Sequence, residues 1–306
     1  MSKNLIYIIS VFLLSCATLN SFAQPGKTNA SAQLNVYQDS LVKLSKALFT
    51  STNNQDRFSK NGSFVKTLVT ALKTTNSFNF SFDGLESISH VVSPDKTFKI
   101  FSWFVPTDEG GYRFFGSIQI RTADGSLKLF PLIDNTENFK DLNAITDNKN
   151  WLGSRYYEIV PIVSPGKPTA YALLGWKGNN TKTSKKVIEI LSFENNLPVF
   201  GKDIIEGPKN TTAKRRIVYE YNKLNSMTLR WDKAAGMIVL DHLAPINPEM
   251  AGNFEYYASD LSFDGYKPTA GKLKLVENIE IKNDPSQQDD FYIDPKRKDI
   301  PTKKKF

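Results

Sequence analysis

The sequence is nearly empty of the residues that cross-link chains or bind soft metals. Its 306 residues include one cysteine, Cys16, and two histidines, His90 and His242. A lone thiol cannot form an intramolecular disulfide, so stability has to come from buried apolar surface. The histidines fall in no H-E-x-x-H and no i, i+4 pair. Each is therefore read as a hydrogen-bonded strand or turn residue, and no metal site is assigned. Asp134, Glu137 and Asp141 share one stretch but lack the order of acids around a glycine that makes an EF-hand, so they read as solvated carboxylates. Nucleophile motifs are missing too. There is no G-x-S-x-G elbow and no S-x-x-K with S-D-N and K-T-G. Gly26-Lys27-Thr28 lacks the upstream glycine of a phosphate-binding loop. Asp241 and His242 are adjacent in a strand-like segment, where neighbours point to opposite faces and form no dyad. No cofactor and no catalytic residue is assigned.

Long hydrophobic runs are also absent. The run from Leu5 to Leu14 falls short of the about 20 residues that span a bilayer. With Lys3 before it and Ser21-Phe22-Ala23 after it as a small-x-small cleavage site, residues 1–23 read as an export signal. Leu13-Leu14-Ser15-Cys16 is close to a bacterial lipoprotein box, although Leu14 stands where that box prefers a small residue. Cleavage after Ala23 is the reading, and lipidation at Cys16 is the alternative. The expected location is periplasmic or secreted, or membrane-tethered through Cys16.

A net charge of +8 is present, but it is badly placed for nucleic acid. Lys296, Arg297, Lys298, Lys303, Lys304 and Lys305 crowd the last twelve residues against Asp299 alone, which leaves residues 24–294 nearly neutral. A nucleic-acid face would need a basic stripe on the folded body. The tail instead suits peripheral contact with an anionic membrane or an acidic partner.

Hydrophobic content of 40% and aromatic content of 12% fit a packed core. Residues 24–33 read as a mobile leader. Leu34, Tyr37, Leu41, Leu44 and Leu48 then predict an amphipathic helix over 34–50. Ser63 is the expected cap of a second helix over 63–75, with Val65, Leu68 and Leu72 on one face. From Phe78 onward, short aromatic and β-branched runs alternate with turn residues, which predicts about thirteen strands between 84 and 282. Asp124-Gly125 and, more weakly, Asn195-Asn196 mark hairpins.

A faint repeat runs through this region. Ser93-Pro94-Asp95-Lys96 precedes Phe98–Trp103, and Ser164-Pro165-Gly166-Lys167 precedes Tyr171–Trp176. Asn222-Lys223 leading to Met227–Trp231 is read as a third copy, and Phe80–Gly84 and Leu261–Gly265 as matching ends. The expected fold is mainly β with a small N-terminal helical segment. Its antiparallel meander sheets would form a propeller-like body or an irregular sandwich or barrel. The expected divisions are the signal 1–23, a leader with two helices 24–79, an all-β domain 80–282 and a polar, basic tail 283–306.

Trp103, Trp176 and Trp231, at strand ends, either close each sheet as core or present an aromatic platform to a glycan or partner. Asp83, Asp241, Asp264 and Glu158 are the acids that stand beside aromatic strands, the raw material for a carboxylate pair. Asp83-Gly84 and Asp264-Gly265 read first as turns, in which the Asp bonds its own backbone and the glycine takes a positive φ.

The signal ending in Phe22-Ala23-Gln24, together with Tyr171–Trp176 (YALLGW) and Lys186–Phe193 (KVIEILSF), resembles uncharacterised exported envelope proteins of Bacteroidetes-type bacteria. The resemblance covers most of residues 80–280, carries no assigned activity, and implies a Gram-negative envelope. The functional expectation is a non-enzymatic β scaffold that binds an envelope protein or a surface polymer. Its rivals are a polysaccharide-active hydrolase with a carboxylate pair in a β cleft, and a small-molecule or lipid carrier.

Overall fold

The computed structural model describes residues 26–166, 169–207 and 211–280. The export signal with Cys16, Lys167, and the tail with Lys296, Arg297, Lys298, Lys303, Lys304 and Lys305 lie outside the described residues. Two helices come first, α1 (Gly26–Thr50) and α2 (Asn54–Leu72). Helix α1 therefore starts inside the segment expected as a leader, where Ala30, Ala32 and Gln33 are good helix formers. Helix α2 starts at Asn54 and not at Ser63. Asn53 caps it by accepting the Asp56 N–H at 2.9 Å, and its own amide donates to the Asp56 carboxylate at 2.9 Å. Ser63 sits mid-helix and donates to the Ser59 carbonyl at 3.3 Å.

The rest is antiparallel sheet. The first sheet is β1 (Ser89–Val92), β2 (Phe98–Pro106), β3 (Tyr112–Ile120) and β4 (Lys128–Ile133), in that order. The second holds β5 (Thr146–Asp147), β6 (Arg155–Ile162), β7 (Ala170–Gly178), β8 (Thr183–Glu194), β9 (Leu197–Phe200) and β10 (Arg216–Asn222). Its order is β5-β9-β8-β7-β6, with β10 also paired to β8. The third is β11 (Leu229–Asp232), β12 (Met237–Pro245), β13 (Tyr257–Thr269) and β14 (Lys272–Val276), again in sequence order.

Side-chain alternation decides how these sheets stack. Along β2, Phe98 and Ile100 point to a core shared with Tyr171, Leu173 and Leu191 of the second sheet. Phe101 and Trp103 point the other way, to Leu41, Phe64 and Leu68 of the helices. The second sheet repeats the device, with Ala172, Leu174, Ile188 and Ile190 facing Leu229, Ile238, Leu240 and Leu273 of the third. The layers follow one another in a line: helices, first sheet, second sheet, third sheet. No sheet closes into a barrel, so the fold is mainly β with an N-terminal helical pair and takes the irregular-sandwich form of the expectation. Strands covered on both faces read as near-continuous apolar runs, and this is why AYALLGW (170–176) and VIEIL (187–191) show little alternation.

Both hairpin signals are found. Asp124-Gly125 joins β3 to β4 with Gly125 at φ +74°. Asn195 and Asn196 lie at φ +51° and +62°, so the weaker signal is a two-residue turn of the twisted type that β-hairpins favour. The first two repeat copies are alike in that each precedes the inner strand of an edge hairpin: Ser93–Lys96 lies between β1 and β2, and Ser164–Gly166 follows β6 ahead of β7. The third does not. Met227–Trp231 leads into β11, the first strand of its sheet, and the equivalent turn is Asp232–Gly236 before β12. The matching ends also part company. Phe80–Gly84 is irregular chain with Phe82 at φ +57°, whereas Asp264-Gly265 lies mid-strand in β13 rather than in a turn. Gly265 is required there by crowding, because a Cβ would stand 2.8 Å from Met237 Sδ and 3.0 Å from the Ile238 carbonyl.

Candidate functional site

The chain between β4 and β6 makes an Ω-like excursion whose ends meet. Ile133 N donates to Asn148 O at 2.8 Å, Trp151 N to Ile133 O at 3.0 Å, and Asn135 N to Trp151 O at 2.9 Å. Compact loops with closed ends are frequent functional elements. Here the base is fixed by buried charge. Lys177 Nζ donates to Thr136 Oγ1 (2.8 Å), Leu152 O (2.6 Å) and Gly153 O (2.9 Å), and lies 4.7 Å over the Phe114 ring. Burial lowers the Lys177 ammonium to about 8, against a smaller opposing pull from Asp134. Asp134 in turn accepts the Phe114 N–H at 2.8 Å and the Thr136 hydroxyl.

The crest is fixed by two consecutive arginines at the start of β10. Arg215 accepts nothing and donates three times, from its backbone N–H to Asn143 Oδ1 (2.9 Å) and from its guanidinium to Asn143 O and Asp203 Oδ2 (both 2.8 Å). Arg216 reaches Leu142 O and Ala144 O, both at 2.7 Å, and Thr146 Oγ1 at 3.3 Å, with its guanidinium 4.9 Å over the Phe139 ring. Its remaining fork binds Glu189 Oε1 at 2.8 Å, and both side chains are 0% exposed. The pair is directly opposed across the β8–β10 ladder. Glu189 also accepts the Tyr156 hydroxyl, which itself accepts from Trp151 Nε1 at 2.7 Å. Burial, then the Glu189 charge, holds the Tyr156 phenol well above its usual range. The network therefore runs from the core between the first two sheets to the underside of the loop.

Between the loop and the β8–β9 hairpin lies an open groove of about 520 Å³, within the range of small-ligand sites. A hydrogen-bonded row of amides lines it. Asn138 Nδ2 donates to Asn135 Oδ1 at 2.8 Å, Asn135 Nδ2 to Asn150 Oδ1 at 3.3 Å, and Asn150 Nδ2 to Asp147 Oδ1 at 3.0 Å. Phe139, Ile145 and Val199 supply the apolar part, and Ile145 is 57% exposed. A second cavity of about 140 Å³, beside Phe98 and Phe193, is well below that range.

The tryptophans singled out from sequence are not gathered at this groove. Trp103 is 3% exposed, donates to Asn61 Oδ1 at 2.7 Å and packs on Phe64 and Phe115. Trp176 packs among Phe104, Tyr112 and Phe114 and donates to Ser184 Oγ at 2.8 Å. Trp231 is half-buried against the core between the second and third sheets. They belong to three different sheet contacts and form no common platform.

Of the four candidate acids, Asp241 and Asp264 lie on the paired strands β12 and β13 and Asp83 and Glu158 on other elements, and each accepts from a neighbouring group. Asp83 accepts the Ser81 hydroxyl at 2.7 Å, Asp241 the Thr228 N–H at 2.8 Å, and Glu158 the Trp231 N–H at 2.7 Å. Asp264 bonds His242 Nδ1 at 2.8 Å and accepts the Asn278 N–H at 3.0 Å. That hydrogen bond raises the His242 imidazole, yet among the described residues no hydroxyl nucleophile bonds to it. His90 lies in β1, half-buried and lowered by that burial. Among the described residues, no group of three or more His, Cys, Asp or Glu is placed to hold a metal ion.

Sequence reasoning passed over Glu189, Arg215, Arg216 and Lys177. One signal was available: Glu189 interrupts VIEIL, and an acid inside a run covered on both faces requires a buried partner. No protein-family model, curated protein or solved structure matches the chain.

Proposed function

We propose that the protein is an exported, non-enzymatic envelope protein: a β scaffold that presents the 134–151 loop as a fixed surface for a partner protein or surface polymer. The single observation that carries this reading is the fully buried Arg216–Glu189 pair, which holds three oxygens of a surface loop. A buried ion pair contributes little net stability, because desolvation offsets its Coulomb attraction. Its clearest product here is a loop held in one geometry, and preorganisation of this kind is what a binding surface gains from. The engagement of Asp83, Glu158, Asp241 and Asp264 in separate hydrogen bonds to neighbouring groups speaks against the hydrolase reading. Among the described residues no helix is long and apolar enough to cross a membrane. The basic tail adds a peripheral contact to anionic lipid or an acidic partner in this proposal.

Cross-linked capture of the mature protein from its own envelope tests the reading. The Asn150→Ala variant, changed only at the exposed groove, is expected to lose the captured partner. Removal of residues 295–306 is expected to weaken capture, most strongly at low salt, while leaving the folded body intact. Equal capture by wild type and Asn150→Ala would remove the loop from the account.

A further inference from the structure

We propose that the groove takes a neutral oligosaccharide, an inference that rests on the scaffold reading above and names its ligand class. The polar groups facing the groove are mostly amides and carboxylates, which offer donors and acceptors side by side. Each amide of the row gives one of its two N–H groups to its neighbour, so the row is oriented and each side chain keeps one N–H to offer. Asp147 Oδ1 takes three donors, the N–H groups of Lys149 and Asn150 and the Asn150 side chain, and the fourth member of the row thus holds its second oxygen in a fixed position. Among the described residues no hydrogen bond reaches Asn138 Oδ1, Asp147 Oδ2, Asp141 Oδ2 or the Glu194 carboxylate. A ligand that satisfies such a site has to bring donors to these oxygens, and it gains where it can also accept from the amide N–H groups.

Two classes do so, hydroxyl-rich molecules and cations. The apolar part of the groove separates them. Ile145 stands exposed beside the amides, and the Phe139 ring is held by the Arg216 guanidinium at 4.9 Å. A pyranose carries hydroxyls around its rim and C–H groups on its face, so it matches amides and apolar carbons in one small site. A compact cation would gather carboxylates around itself, and the described residues form no such cluster. The charge of the lining then selects among saccharides. Asp141, Asp147 and Glu194 stand against Lys140 alone, which repels sulfated, phosphorylated or uronic-acid polymers.

Both classes of readout come from titration calorimetry on the full mature chain. The probes are cellohexaose, laminarihexaose, mannohexaose and chitotetraose as neutral ligands, tetragalacturonate and a heparin hexasaccharide as anionic ones, and hexalysine as a cation. The expected result is saturable binding of at least one neutral probe, none of the anionic probes, and at least tenfold weaker binding by Asn150→Ala and Asn138→Ala. Both substitutions are at exposed positions, and an unchanged unfolding temperature checks that each variant is folded. Binding of no neutral probe, binding of hexalysine alone, or equal neutral-probe binding by wild type and both variants would overturn the proposal. If an envelope partner is still captured through Asn150, only the saccharide class fails; if that capture is also insensitive to Asn150, the scaffold reading fails with it.

Discussion

Glu189 and Lys99 show two ways for a sheet to carry a charge inside a layer stack. Glu189 is matched by a guanidinium and a phenol. Lys99, 2% exposed, is matched by one carbonyl, Phe80 O at 2.7 Å, and by the rings of Phe78, Phe82 and Phe101 at 5.5–5.8 Å. Burial lowers the Lys99 ammonium to about 8, with Asp83 opposing. Lys99 and Lys177 both have folded values of about 8 below the usual 10.5, so above pH 8 the unfolded chain binds more protons. Stability then rises with pH. Tyr156 and Tyr219, held well above 10, act in the opposite sense: the folded state keeps protons that the unfolded state sheds, and stability falls above pH 10. Urea midpoints are therefore expected to climb between pH 8 and 10 and to turn over beyond, with a shallower climb in Lys99→Met. A midpoint that falls from pH 8 to 9, or an unchanged slope in the variant, would contradict this assignment.

At the scale of the element, the 134–151 loop depends on contacts made by β7 and β10, far from it in sequence. This is why the rigidity of a loop whose one regular element is the short turn Thr136–Asn138 is not legible in the sequence. Nothing local in DNTENFKDLNAITDNKN says that two arginines about seventy residues later will bind its carbonyls. Loss of one partner from a buried ion pair costs about 3–5 kcal/mol, whereas apolar replacement of both is near neutral or stabilising. Arg216→Met is expected to destabilise by about 3–5 kcal/mol, because Glu189 is left buried beside Tyr156 alone. The double variant Glu189→Leu with Arg216→Met is expected to recover most of that loss in chemical denaturation. If the double variant is no more stable than Arg216→Met, the pair is not an isolated ionic unit.

At the scale of the molecule, the order of elements along the chain is legible in the sequence, whereas the way the sheets stack is not. Periodicity located the helical pair, the switch to strands and the two strongest repeat units, because each rests on local alternation and turn chemistry. The failures have a common cause in tertiary context. The Asn222-Lys223 copy and the Leu261–Gly265 match were judged on composition, whereas strand position within a sheet is set by partners. Two sheet edges, β6 and β14, are also finished by non-local contacts. Beside β6, Ser102 Oγ accepts the Tyr156 N–H at 2.9 Å, and the Ser89 hydroxyl donates to the Tyr156 carbonyl. Beside β14, Glu206 N donates to Leu273 O and Leu273 N to Ile204 O, both at 2.8 Å. Such covering stops a sheet from recruiting another chain.

The most direct measurement is amide hydrogen exchange of residues 134–151 in wild type and in the Glu189→Leu, Arg216→Met double variant. Exchange reports local opening separately from global unfolding. The account predicts slow exchange across the loop in wild type and at least tenfold faster exchange there in the double variant, with β7 and β8 equally protected in both. Fast loop exchange in wild type, or a loop equally protected in both proteins, would contradict the claim that this buried pair exists to hold a binding surface still.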